Sequence, residues 1–185
     1  MRIISGTAKG RTLFGPKTNK IRPALDKVKQ AVYNILYDVT DLNVLDLFAG
    51  TGSVGLEAIS RWAKQCVFVD DGKEALDIIR KNVDLCRFQD QSVILKRKIP
   101  DKIDDLFEKF GPFDLIFVDP PYDQDLVNPT LAVLEKKKVT ALIIVEHSPR
   151  EVIQEFDSLV ITDVRHYGQT YISFLKYQSS SKTDF

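Results

Sequence analysis

The chain has 185 residues, 44% of them apolar and 28% charged, and its formal net charge is zero. That length suits one domain that buries roughly 70% of the surface its unfolded chain exposes, and the composition excludes wholesale disorder. No apolar run approaches the roughly 18 residues of a membrane span, and Met1-Arg2-Ile3-Ile4-Ser5-Gly6 lacks a signal peptide's apolar core, so a soluble cytoplasmic protein is the expectation. A monomer is expected as well, though nothing in the sequence decides the oligomeric state. Cys66 and Cys86 form no Cys-x-x-Cys pair, and His147 and His166 lie far apart in sequence, so neither a disulfide framework nor a metal site is expected.

The neutral total hides an asymmetry. Residues 1–30 carry Arg2, Lys9, Arg11, Lys17, Lys20, Arg22, Lys27 and Lys29 against Asp26 alone, and the rest of the chain is correspondingly acidic. A basic block at a terminus suits a polyanion, because each neutralised phosphate releases counterions; a merely solvated arm is the alternative.

Taken in chain order, apolar runs then alternate with amphipathic ones. Asn43–Phe48 reads as a strand ending at Ala49-Gly50, and Val54–Trp62 as a helix with Ser53 as its N-cap. Cys66–Val69 is a predicted strand and Lys73–Leu85 a predicted helix, with Leu76, Ile79 and Val83 near helical spacing. Ser92–Leu95 follows as a strand, Ile103–Phe110 as a helix and Phe113–Val118 as a continuous apolar strand. Leu131–Lys137 suggests a helix, Ala141–Val145 a buried strand and Arg150–Phe156 a short helix. Leu159–His166 and Thr170–Leu175 alternate as strands around Tyr167-Gly168-Gln169, the pattern of a hairpin. Strands alternating with helices predict an α/β fold: a mostly parallel sheet covered on both faces, closed by an antiparallel element. The serine-rich stretch 178–185 reads as a flexible tail.

Two motifs carry chemistry. The first runs from Asp46 to Gly55, where Gly50-x-Gly52-x-x-Gly55 follows a predicted strand and opens a helix. Glycines there permit a tight turn and let a cofactor press on the backbone. Asp46, Phe48, Gly50, Thr51 and Gly52 are candidate cofactor contacts, and Asp70 is placed to accept hydrogen bonds from ribose hydroxyls. A nicotinamide dinucleotide would fit the glycines too. Asp46 favours another ligand, because an acid beside that turn repels a pyrophosphate and suits a cationic amino-acid end, such as that of S-adenosylmethionine.

The second motif is Asp119-Pro120-Pro121-Tyr122, directly after the apolar strand. Ligands of open α/β sheets sit beyond the carboxyl ends of strands, so this tetrapeptide faces the same crevice as Gly50. The prolines stiffen the turn and present the Asp119 carboxylate and the Pro120 carbonyl, two acceptors for the two N–H donors of an exocyclic amine. Tyr122 offers a face for stacking a base. A surface Pro-Pro turn is the bland alternative. The chemistry of both motifs together is methyl transfer to an exocyclic base amine on a single-stranded or flipped-out nucleotide, with Asp119 stabilising the charge that develops on nitrogen.

In these residues the chain resembles the RsmD-type family, which methylates a guanine N2 of 16S ribosomal RNA. The opening Met1 to Gly6 with Gly10-Arg11, the segment from Arg22-Pro23 to Tyr33-Asn34, Asp46 to Gly55, Asp119 to Tyr122 and the late Tyr167-Gly168 all fall in order over about residues 1–177. The resemblance implies a class I S-adenosylmethionine-dependent methyltransferase domain, Rossmann-like with a seven-stranded mostly parallel sheet and an antiparallel C-terminal hairpin, over residues 41–177. Residues 1–40 would be a basic extension comprising an RNA-binding arm and a lead-in helix. It further implies Asp119, Pro120 and Tyr122 at the target base, the glycine loop and Asp70 at the cofactor, and Arg2, Lys9, Arg11 and Arg22 on rRNA of an assembling small ribosomal subunit.

This chain departs from the family pattern at Ala24 for threonine, at Lys27 and Lys29 for arginines, and at Trp62 for a helix-ending glycine. Lys96-Arg97-Lys98 stands where related enzymes carry an acid for the adenine amine, and Asp101 lies a few residues late. An adenine-N6 or cytosine-N4 methyltransferase and a non-catalytic RNA-binding assembly factor are the competing readings. His147, Asn82, Lys136-Lys137-Lys138, Phe107, Phe110 and Phe113 read as structural or solvated. Glu146 reads as a polar strand terminus that could also line the crevice.

Overall fold

The computed structural model describes residues 1–16 and 23–178. Its centre is a seven-stranded sheet built from β1 (Asn43–Leu47), β2 (Gln65–Asp70), β3 (Ser92–Lys96), β4 (Leu115–Val118), β5 (Leu142–His147), β6 (Leu159–Tyr167) and β7 (Thr170–Tyr177). The spatial order is β3-β2-β1-β4-β5-β7-β6. The first five strands are parallel, and β7 inserts antiparallel between β5 and β6. A two-residue turn at Gly168-Gln169, with Gly168 at φ 64, closes the final hairpin.

Helices cover both faces, as continuous apolar strands require. On one face α1 (Pro23–Leu36), α2 (Ser53–Ser60) and α3 (Lys73–Cys86) contribute Val28, Val32, Tyr33, Leu56, Ile59, Ile79 and Val83 to a cluster with Val44, Phe68, Phe117 and Ile144. On the other, α4 (Asp104–Phe110) and α5 (Val127–Lys136) bring Leu106, Leu131 and Leu134 against Leu45, Leu47, Ile116 and Val145. Alternation along β1 therefore turns Leu45 and Leu47 to α4 and α5, and Val44 and Asp46 to α1–α3.

Residues 1–13 are fastened to the first face. Arg2 bridges Thr12, and Ile3, Ala8 and Leu13 are buried in the same cluster as α1 and α2. The fastening is a fully buried carboxylate, Glu57 of α2. It accepts the backbone N–H groups of Ile4 (2.8 Å) and Ser5 (3.0 Å), pairs with Arg61 at 2.8 Å, and faces the Lys29 ammonium at 3.4 Å. Lys29 also donates to the Arg2 carbonyl at 2.8 Å, which ties α1 to the same point.

Most predicted elements form within a residue or two of their expected bounds; the exception among those that form is α5, expected at Leu131–Lys137, which begins at Val127. Ser53 is not the N-cap of α2; it is the helix's first residue, and Gly52 caps it in the left-handed region at φ 74. The helix expected at Arg150–Phe156 does not form. Its polar groups are spent elsewhere: Asn128 of α5 brackets the segment through Val152 O (2.9 Å) and Gln154 N (2.9 Å), the Glu151 carboxylate reaches Val127 N at 3.4 Å, and the Glu151 carbonyl meets His147 Nδ1. Trp62 does take the left-handed conformation, at φ 70, while 59% exposed. Residues 179–185 of the expected tail lie outside the described residues, within which no helix is long and apolar enough to cross a membrane.

Two expectations for stability follow. Glu57→Ala strands a buried ammonium and two backbone N–H groups, and urea unfolding should show a loss of about 3–5 kcal/mol. A Cβ at Gly55 would lie 2.4 Å from the Phe68 ring and 2.5 Å from Cys66 Sγ. Gly55→Ala should therefore cost about 2–3 kcal/mol by the same measurement.

Candidate functional site

Strand order reverses between β1 and β4: the chain moves outward through β2 and β3 and returns on the other side of β1. Leu47 pairs with Val118 in register, so the loop after β1 and the turn after β4 leave the sheet side by side. Crevices of this kind are where open α/β sheets bind ligands. Here it opens into a cavity of about 810 Å³ whose lining includes Asp46, Gly50, Thr51, Asp119, Tyr122 and Glu146, with Lys29 and Tyr33 contributed by α1.

The glycine loop is a set of left-handed residues, Phe48 at φ 60, Gly50 at φ 55 and Gly52 at φ 74. For Phe48 that geometry costs of order 1 kcal/mol. Asp70 holds the loop in place: one carboxylate oxygen accepts Gly50 N–H at 2.9 Å, and the other accepts Gly72 N–H at 2.8 Å. Asn82, fully buried on α3, holds the other flank through Thr51 O at 2.9 Å and both backbone polar groups of Phe14. A Cβ at Gly50 would meet nothing nearer than Phe48 O at 3.8 Å, so its open side lies free for a ligand to approach the backbone.

Three carboxylates give the cavity its electrostatics. Asp46 accepts Gly55 N–H at 3.0 Å, and burial pushes its pKa up to about 7; that hydrogen bond opposes the rise and the Asp70 charge adds to it. Burial also raises Asp119 well above the usual carboxylate range, reinforced by the charges of Glu146 and Asp46, and it raises Glu146. Among the described residues, the cationic side chain of the lining is Lys29, already paired with Glu57. Carboxylates held at raised pKa by burial ionise more readily beside a positive charge, so the cavity favours a cationic ligand. S-adenosylmethionine, with an ammonium and a sulfonium, fits that lining and the bare Gly50 backbone.

The stiff turn presents Asp119, Pro121 and Tyr122 to the cavity, while Pro120 is buried and does not line it. Tyr122, 37% exposed, has its hydroxyl held by Glu146 Oε1 at 3.1 Å and Thr170 Oγ1 at 2.8 Å, which sets the plane of its ring. Burial raises the pKa of that phenol, so it stays a neutral donor.

The remaining candidates are scattered. Asp70 reaches the site through the loop it holds and is not among the lining residues of the large cavity. Arg2 and Lys9 are exposed, the Arg11 guanidinium donates to Leu85 O at the end of α3, and Arg22 lies outside the described residues. Lys96, Arg97 and Lys98 line a separate basic hollow of about 450 Å³ with Asp71 and Lys102, and Asp101 pairs with Lys98 at 3.7 Å. His147 is structural: two backbone carbonyls face Nδ1, so Nδ1 carries the proton and Nε2 accepts from Ser173.

Glu146 and Asn82 are the residues that sequence reasoning undervalued. For Glu146 the available signal was its place at the carboxyl end of a predicted buried strand. Asn82 had no signal, since its partners lie 31 and 68 residues away.

The chain is similar to known proteins along nearly all of its length. A family model described as conserved hypothetical protein 95, the RsmD-type family, matches residues 1–176. Ribosomal RNA small subunit methyltransferase D of Escherichia coli is 32% identical over 136 residues, covering 73% of this chain and 67% of its own. YlbH of Bacillus subtilis, provisionally named an rRNA methyltransferase, is 30% identical over 181 residues, covering 95% of this chain and 98% of its own. The solved structure of Escherichia coli yhhF, provisionally described as a methyltransferase, superposes with a TM-score of 0.79 at 26% identity, covering 97% of this chain and 98% of that one. With a glycine loop and an acidic turn at the switch point of the same seven-stranded sheet, the chain belongs to the RsmD-type family of class I S-adenosylmethionine-dependent methyltransferases.

Proposed function

We propose that this protein methylates the exocyclic N2 amine of a guanine in small-subunit ribosomal RNA, on an assembling particle. The observation that carries the reading is Asp119 lining, from a stiff turn, the same cavity as the open backbone of Gly50. The rRNA assignment draws on the relatives named as ribosomal RNA small subunit methyltransferases.

S-adenosylmethionine supplies an electrophilic methyl group on a sulfonium. Asp46 and the Gly50–Thr51 backbone would hold it, with Asp70 keeping that backbone in position; Gly52, expected at the cofactor, instead faces Ile79 and Phe68 and caps α2 without lining the cavity. The turn's part is orientation. Asp119, which lines the cavity, accepts an amine hydrogen from a fixed direction, which leaves the nitrogen lone pair free along the direction of attack. Fixing that geometry lowers the barrier chiefly by removing rotational and translational freedom. The amine nitrogen, gaining positive charge as it takes up the methyl group, would lie beside Asp119, which would stabilise that charge and take the proton directly or through water. A carboxylate whose affinity for protons is raised by burial suits that last step. Tyr122 stacks on the base, and only an unpaired or flipped base reaches it. Arg2 and Lys9, exposed on the N-terminal segment, supply sequence-independent phosphate contacts, and Arg22 belongs to the proposed set; Arg11, expected there too, is spent on Leu85 O.

Labelled S-adenosylmethionine with unmethylated small subunits should yield N2-methylguanine by nucleoside mass spectrometry. Asp119→Ala should lower kcat by roughly 10²–10³ with cofactor affinity within a few-fold of wild type. No transfer by the wild-type protein, or near-normal turnover in the variant, overturns the reading.

Asp46 makes a separate prediction in pH. Its folded pKa of about 7 lies above the usual value near 4 for an unfolded aspartate, so folding favours the protonated form. The stability tied to that proton is complete below about pH 4 and is lost as pH rises through 7. Asp119 and Glu146 act in the same sense. The cofactor-free protein should melt higher at pH 6 than at pH 8. Asp46→Asn keeps an acceptor for Gly55 N–H, so it should gain on the order of 1–3 kcal/mol at pH 8 and show a shallower pH slope. Titration calorimetry should show the same variant binding S-adenosylmethionine more weakly.

A further inference from the structure

The cavity holds one carboxylate more than capture of an amine requires. Asp119 and Glu146 follow Val118 and Val145, which pair in register on the parallel neighbours β4 and β5. The two side chains therefore leave adjacent strands on the same face, with backbones about 5 Å apart. Phe117 and Ile144, two residues earlier on each strand, line the same cavity, as the alternation demands. Glu146 Oε1 accepts the Tyr122 hydroxyl at 3.1 Å, and Oε2 has no partner among the described residues. One oxygen is thus used to orient the group and the other is left for a ligand.

Orienting a phenol does not need a charge; a glutamine would do it. A second carboxylate instead burdens Asp119, whose ionisation the Glu146 charge opposes. Such a cost is understandable where the ligand brings a second donor. Guanine does so: N1–H stands next to the 2-amine, whereas adenine and cytosine present a nitrogen lone pair beside theirs. A carboxylate facing that position pairs with guanine and meets a repulsive lone pair on the other two bases.

We propose that Glu146 is the specificity-determining residue of the target-base pocket, accepting N1–H of guanine through Oε2 while Asp119 holds the adjacent 2-amine. The proposal rests on the methyltransferase reading above and deepens it. Glu146 acts as a reader of the base and Tyr122 as the group that aims it, so base stacking and base identity are coupled through one hydrogen bond.

The test compares small subunits reconstituted with guanine or with 2-aminopurine at the methylated nucleotide. The analogue keeps the 2-amine and lacks N1–H. Wild type should prefer guanine by roughly 10²-fold in kcat/KM, because a site built to accept a hydrogen bond rejects a ligand that lacks the donor. Glu146→Gln, whose amide can donate to the bare N1, should cut that preference at least about tenfold by gaining on 2-aminopurine as it loses on guanine. Equal use of both substrates by wild type overturns the proposal without any variant. A Glu146→Gln protein that binds S-adenosylmethionine normally and loses the same factor on both substrates overturns it as well, since that is the signature of a merely structural role. Failure of wild type to methylate guanine at all sinks the underlying reading instead, so the two failures are distinguishable.

Discussion

The site depends on the in-register pairing of β1 with β4 at the point where strand order reverses. Parallel strands share a direction, so their carboxyl ends sit together, and loops leaving two such ends in opposite directions across the sheet open a crevice between them. Residues 48–52 and 119–122 are about 70 positions apart in the chain, yet Leu47 and Val118 are neighbours. Neither motif forms a site alone. The glycine loop offers backbone with nothing beside it, and the Pro-Pro turn offers a fixed carboxylate; only the strand order makes them face one volume.

A second constraint is the buried carboxylate of Glu57. A glutamate with no exposure is costly unless every lone pair is used, and here two backbone N–H groups, a guanidinium and an ammonium use them. The outcome is structural: the N-terminal segment is fixed against α2, and α1 is drawn over the end of the sheet, where Lys29 and Tyr33 wall the cavity. The basic N-terminal block thus divides its charges. Lys29 is buried, and burial lowers its pKa, so it serves the fold. Arg11 is committed to a carbonyl of α3, while Arg2 and Lys9 remain exposed.

The cavity concentrates negative charge in a place that discourages it. Asp46, Asp119 and Glu146 all hold protons more tightly than ordinary carboxylates because burial penalises their ionised forms. A protein optimised for stability alone would replace them with neutral residues. Their presence at one strand-end crevice is the mark of a site kept for a cationic ligand and a donor-rich substrate.

Much of this was legible in the sequence for a simple reason: the decisive features are local. Alternating apolar runs announce a covered parallel sheet, glycines at fixed spacing announce a tight turn into a helix, and two prolines announce a rigid bend. Asp46, Gly50, Asp119 and Tyr122 could be singled out because each sits inside such a pattern. What local pattern does not carry is pairing at a distance. The Arg150–Phe156 stretch has a plausible helical composition, but Asn128 and His147 claim its backbone, and tertiary hydrogen bonds outweigh a weak propensity. Ser53 looks like an N-cap until Gly52, free to enter the left-handed region, takes that position. Asn82 and Glu57 are unremarkable letters within helices, and their roles exist only because residues 4, 5, 14 and 51 are folded onto them. The sequence by itself determined the elements and the chemistry of the two loops, since both follow from neighbours in the chain. The tertiary structure alone decided which buried polar groups meet, because that depends on strand order and register, which no short stretch of residues encodes.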